Sequence, residues 1–258
     1  MLIRTLVFVL LVSSSSAWAE TTKRLSTGFD YSTGKYGGST STDILYIPIT
    51  GKIQTDKLFL KLTVPYITVT SAGNIVIPGT GIFKIIKAPG TTKTKTTVTT
   101  ESGLGDVIAA AGYTVFENGD LMLDLVGNIK FGTADPDKYL GTGKNDYSAQ
   151  LDGYYRLNTT TFFATAGYKI LGAPAGTDVN NIAYGTLGIS QKTGNTSNVG
   201  VMMDAAQSTT AYSPGISELT AFVANNVTKS LKIQANLMNG FSDSSPDMSG
   251  GIMLTGWF

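Results

Sequence analysis

The chain has 258 residues, 19 Lys and Arg against 18 Asp and Glu, and a formal net charge of +1. It contains no Cys and no His, which excludes disulfides, thiol chemistry, zinc–thiolate centres and the commonest general base. The near-neutral balance has no basic patch, so no nucleic-acid partner is expected.

Residues 1–19 read as a signal peptide. Arg4 is the cation, Leu6 to Val12 the apolar run, and Ala17-Trp18-Ala19 the small-residue cleavage site after a Ser stretch. The run is too short for a membrane helix, which needs about 20 apolar residues. An exported domain over 20–258 is therefore expected, and no later apolar run is long enough to be a membrane helix.

That domain breaks into short alternating segments. Strands are expected at 24–33, 41–52, 57–67, 104–116, 120–132, 146–157, 160–171, 182–192, 198–207, 216–227, 230–241 and 249–258. Most match the roughly 9–11 residues of a tilted transmembrane strand rather than the mean of about 5–6 in soluble proteins. Tight turns at "QTDK" (54–57), "ENGD" (117–120), "LNTT" (157–160), "TGNTS" (193–197) and "TKS" (228–230) alternate with longer connections at 34–41, 68–103, 133–145, 172–181, 208–215 and 242–248. Short turns at one end and long loops at the other predict an all-β, antiparallel, up-and-down outer-membrane barrel of about twelve strands. An even strand number puts both termini on the periplasmic side.

Alternation alone does not say which face is inside, because a soluble barrel alternates too. In "LMLDLVGNIKF" (121–131) Leu121, Leu123, Leu125, Ile129 and Phe131 share one face, and Asp124, Asn128 and Lys130 the other. On the apolar face Tyr31, Tyr66, Phe131, Tyr147 and Tyr168 fall near the long-loop ends. Tyr113, Tyr155 and Phe162 fall near the tight turns. Two aromatic bands are the girdles of a lipid-facing surface, so the apolar face points outward.

By the same alternation Arg24, Lys61, Lys130, Arg156, Lys169 and Lys232 face the lumen, as do Asp30, Asp106, Asp124, Asp152, Asp204 and Glu218. Two expectations stand side by side: a cross-strand network that holds and partly fills the barrel, and polar contacts along a solute path. Between about eight strands, which side chains fill, and 16–18, which leave a channel, twelve leave a narrow path. The longest loop carries an apolar stretch, "IVIPGTGIFKIIKAPG" (75–90), with Ile75, Ile77, Ile82, Phe83, Ile85 and Ile86. It is expected to be a docking lip, a plug or a pair of strand extensions. The chain ends on Phe258, outward by alternation, which resembles the C-terminal aromatic signal read by the barrel-assembly machinery. Without His no activated nucleophile is expected, nor a catalytic residue, cofactor or metal site.

Three stretches carry a family resemblance: "SGLGDVIAAAGYTVF" (102–116), "FGTADPDKYLGTGKNDYSAQLDGYY" (131–155) and "AGYKILG" (166–172). They resemble the outer-membrane transporter family named for the MetA pathway of phenol degradation. The resemblance implies a barrel in outer-membrane lipid that passes small, often aromatic or apolar, compounds. The alternative expectation is a structural or surface-interaction barrel with a closed lumen.

Overall fold

The computed structural model describes residues 21–36, 38–71, 75–76, 86–87 and 98–258. The signal-peptide reading of 1–19 lies outside them, as do Ile77, Ile82, Phe83 and Ile85 of the long loop. The strands are β1 (Thr22–Gly34), β2 (Thr42–Gln54), β3 (Leu58–Ser71), β4 (Ile75–Val76), β5 (Ile86–Lys87), β6 (Thr99–Leu104), β7 (Val107–Asn118), β8 (Leu121–Phe131), β9 (Asp146–Leu157), β10 (Thr160–Ile170), β11 (Ile182–Thr193), β12 (Ser197–Ala206), β13 (Ile216–Asn226), β14 (Leu231–Gly240) and β15 (Met248–Trp257).

Every neighbouring pair from β7 to β15 is antiparallel. β15 pairs with β1, β1 with β2, β2 with β3, and β3 with both β6 and β7. The sheet is a closed twelve-stranded antiparallel barrel in which β6 and β7 are two parts of one strand. Closure leaves no row of unpaired backbone groups, which hydrocarbon demands. The seam is tight: Arg24 faces Trp257 in register, and the Phe258 amide donates to the Lys23 carbonyl at 3.1 Å.

The expected strands are all present, with three local differences. The strand expected over 104–116 is interrupted at Gly105–Asp106, where the Gly105 amide donates to the Pro65 carbonyl at 2.9 Å. β3 and β6 run further than expected, pairing from Tyr66↔Leu104 up to Ser71↔Thr99. Beyond them Ile75 and Val76 pair with Lys87 and Ile86 in a short ladder. The third difference is a bulge between Thr114 and Phe116, which leaves both Val115 and Phe116 exposed.

The exposed face is apolar. Leu25, Phe29, Ile49, Leu60, Leu125, Leu151, Leu187, Leu219 and Leu254 all point out. A soluble monomer rarely tolerates so continuous an apolar patch, whereas a lipid-facing barrel needs one. All eight aromatics expected in the two girdles are on this exposed face.

Candidate functional site

Two constellations occupy the barrel interior. The first is at the long-loop end. Lys130, near the top of β8, is buried. Its Nζ lies 2.9 Å from Asp106 Oδ2 and 3.2 Å from Asp146 Oδ2, and donates to Thr142 Oγ1 at 3.5 Å. An ammonium has three protons, and here it meets three acceptors. Lys169 is also buried and within electrostatic reach of Asp146 and Lys130, so the group of two cations and two carboxylates is neutral. A buried charge that lost its partner here would be costly, so the set acts as one unit.

This centre holds the β8–β9 loop inward. Asp106 Oδ1 accepts the Ala134 amide at 2.9 Å, Asn145 Oδ1 accepts the Gly132 amide at 2.9 Å, and Asp146 Oδ1 accepts the Gly172 amide at 3.0 Å. Leu140 and Ala134 of the loop pack with Ile44, Ile67 and Val69, which are inward residues of β2 and β3. Leu140 is fully buried. The loop 132–145 therefore leans into the barrel mouth and covers its inner wall. The approach is close: a Cβ on Gly103 would sit 2.9 Å from Leu140 Cδ1, and one on Gly141 would sit 2.7 Å from Ala134 Cβ, so a side chain at either would force a local shift. The three stretches 102–116, 131–155 and 166–172 converge here. Asp106, Lys130, Asp146 and Lys169 thus lie beneath a loop rather than along an open wall.

The second constellation runs down the lumen, from Asp204 and Glu218 two residues from the long connection between β12 and β13 to Arg24, Lys52, Asp124 and Lys232 near the opposite end. Its charges are sorted by wall. On one side Arg24 of β1 pairs in register with Lys52 of β2, and Lys52 with Lys61 of β3. Lys232 of β14 is within electrostatic reach of Arg24. On the other side Asp124 of β8 faces Asp152 of β9, and Asp204 of β12 faces Glu218 of β13. Like charges directly opposite each other across strands repel. Neutral donors offset this: Thr114 Oγ1 donates to Asp124 at 2.7 Å, Gln150 Nε2 to Asp152 at 2.8 Å, Thr165 Oγ1 to Asp152 at 2.6 Å, and Thr186 Oγ1 to Asp204. Among the described residues none of Arg24, Lys52, Lys61 and Lys232 forms an ion pair.

Asp30 breaks the pattern by lying on β1, where it accepts from Asn236 Nδ2 at 3.3 Å. Arg156 is at the periplasmic rim, largely exposed, with Nε 3.8 Å from Asp120 Oδ1. It borders the mouth rather than the path.

Inward rings not singled out from the sequence as lumen residues include Tyr154, Phe163, Tyr184 and Phe222, and Phe59 of β3, which lies over its register partner Gly112. Phe163, Tyr184 and Phe222 each lie over a register partner that is glycine, namely Gly188, Gly167 and Gly200. A ring laid on a glycine lies flat against the wall. Phe163 and Phe222 meet at 6.4 Å between centroids. The available signal was an aromatic on the polar parity of one strand matched to a glycine on the next.

The closed barrel, the outward apolar belt and the polar interior together define a transmembrane β-barrel fold of twelve strands. Comparison with protein-family models finds no match, and comparison with curated proteins finds none. Solved structures do match. The COG4313 outer membrane channel from Pseudomonas putida F1 superposes with a TM-score of 0.64 at 12% identity, over 98% of this chain and 100% of that one. The NanC porin gives a TM-score of 0.59 at 8% identity, over 90% and 98%. The KdgM porin gives 0.54 at 8% identity, over 90% and 98%. At these identities the likeness establishes the fold and leaves the cargo open.

Proposed function

We propose that the chain is an outer-membrane channel for the passive passage of small molecules, with loop 132–145 as its constriction. The observation that carries this is the state of the mid-lumen charges. Asp152 and Glu218 of this set are buried, while Arg24, Lys52, Lys61, Lys232, Asp124 and Asp204 keep solvent access on the inward face. A lumen packed shut would bury them and demand contact pairs. The fold shared with outer-membrane channels and porins supports the same reading.

On this proposal residues 1–19 direct export, Phe258 presents the last strand to the barrel-assembly machinery, and the outward belt sits in outer-membrane lipid. Apolar or aromatic compounds are the proposed cargo class, supported by the resemblance to the MetA-pathway transporters and by the inward rings. The part played by Ile75, Ile77, Ile82, Phe83, Ile85 and Ile86 is proposed as a docking lip at the long-loop end. A second reading, a structural barrel with a closed lumen, is favoured by one observation: the fully buried Leu140 and the neutral centre around Lys130 cover part of the mouth.

Osmotic swelling of proteoliposomes separates the two. Purified, heat-modifiable protein should admit small neutral solutes and exclude larger ones above a size limit. Vesicles that admit no solute of any size would establish the closed barrel instead.

A further inference from the structure

The sorting of charge by wall has a consequence for what passes. In ring order the strands run β1, β2, β3, β7, β8, β9, β10, β11, β12, β13, β14, β15 and back to β1. The basic residues Arg24, Lys52, Lys61 and Lys232 centre on β1–β2. The acidic residues Asp124, Asp152, Asp204 and Glu218 centre on β10–β11, half a turn away. Two cross-lumen couplings join the walls: Lys52 feels Asp124, and Lys61 feels Asp152. Neither is a contact pair, so the field between the walls is not cancelled locally. At the level of those two couplings it runs across the channel.

The acidic wall carries most of the inward rings named above. Tyr154 and Tyr184 are within electrostatic reach of Asp152, and Tyr184 donates its hydroxyl to Gln150 Oε1 at 2.8 Å, which fixes the ring beside that carboxylate. Phe163 and Phe222 extend the apolar surface on the same side. Carboxylates beside ring faces suit a small ammonium group, because both attract a cation. The opposite wall carries the cationic heads of Arg24, Lys52, Lys61 and Lys232 beside Asp30 and the Phe59 ring, with Lys52 Nζ 4.1 Å from that ring's centroid; the heads suit a carboxylate or another small anion.

We propose that the lumen favours small zwitterions with a flat apolar body: the solute crosses with its ammonium end on the β8–β13 wall and its anionic end on the β14–β3 wall. This rests on the channel reading above. A net anion gains from one wall and is repelled by the other, and a net cation meets the same opposition. A charge-separated solute of suitable length is attracted by both, with its dipole along the field. The walls therefore act as a selector for charge separation, not for charge sign.

The test uses the full chain in proteoliposomes loaded with three probes of one skeleton: phenylalanine, 3-phenylpropanoate and 2-phenylethyltrimethylammonium. Efflux of each is measured beside the decay of a salt gradient. Wild type should release phenylalanine on the order of threefold faster than either singly charged probe. The double variant Asp124→Asn with Asp152→Asn should reverse the order in favour of 3-phenylpropanoate. Lys52→Gln with Lys61→Gln should reverse it in favour of the ammonium probe. If a double variant loses heat-modifiable migration, Asp152→Asn or Lys61→Gln alone is used, with the same direction expected. Equal efflux of the three probes while salt passes would overturn the zwitterion selector and leave the channel standing. Variants that scale all three rates together would do the same. No efflux of any probe and no salt decay would overturn both.

Discussion

Lys130 Nζ and Asp106 Oδ2 are 2.9 Å apart, and both side chains are withdrawn from solvent. Asp106 occupies the break between β6 and β7, so the pair ties an interrupted strand to its neighbour and to the loop above it. Lys130→Met would leave two buried carboxylates, Asp106 and Asp146, without their cation. The expected cost is about 3–5 kcal/mol, read as a lower urea midpoint in lipid vesicles. Lys61→Met, at a partly exposed position with no ion pair among the described residues, should cost much less. Matching midpoints for the two variants would show that the Lys130 centre is not structural.

Leu140 is the apolar foot of loop 132–145 on the inner wall. Leu140→Ala should remove packing worth about 2–5 kcal/mol to the loop. Loss confined to one loop should show as protease cleavage between 132 and 145 in a barrel that still migrates as folded. A variant as resistant as wild type would mean that the loop is held without Leu140.

Leu125 and Asn128 stand on opposite faces of β8. Leu125→Arg puts a charge in hydrocarbon and should destabilise the inserted barrel by about 2–4 kcal/mol if the position is near the bilayer midplane. Asn128→Arg adds a charge to the inward polar face and should cost far less. Unfolding titrations in lipid that give the reverse order would mean that the faces are inverted.

Phe258 is exposed at the closing seam and contributes one backbone bond, to Lys23. Deleting it should lower the outer-membrane level of the protein and leave the unfolding midpoint of the inserted fraction close to wild type. Normal membrane levels of the shortened chain would remove its role in assembly.

The barrel was legible in the sequence because lipid outside and water inside force a period of two on every strand. β8 is an example: Leu125, Ile129 and Phe131 alternate with Asp124, Asn128 and Lys130, and the structure keeps that order. The inward loop was not legible. Its Gly, Pro and Asp residues carry ordinary turn chemistry, and the left-handed φ of 57° at Tyr139 is not announced by its residue type. The trace of it lies elsewhere. On β2 the alternation fails at Ile44, Leu45, Tyr46 and Ile47, and on β3 Ile67 and Val69 are apolar on the inward parity. An inward face that is apolar near a long-loop end needs a cover, and Leu140 is part of it. The division of charges between walls was hidden for another reason. Alternation gives the face of each residue but not its place around the ring, which closure alone supplies.

The central claim is a conducting lumen narrowed by loop 132–145, and planar-bilayer recording of wild type beside Leu140→Asp tests it directly. Burying a carboxylate among Ile44, Ile67 and Val69 is unfavourable, so the variant loop should leave the mouth. The account predicts a small steady conductance in wild type and a larger one in the variant. No conductance in either, from protein that is folded and inserted, would contradict it.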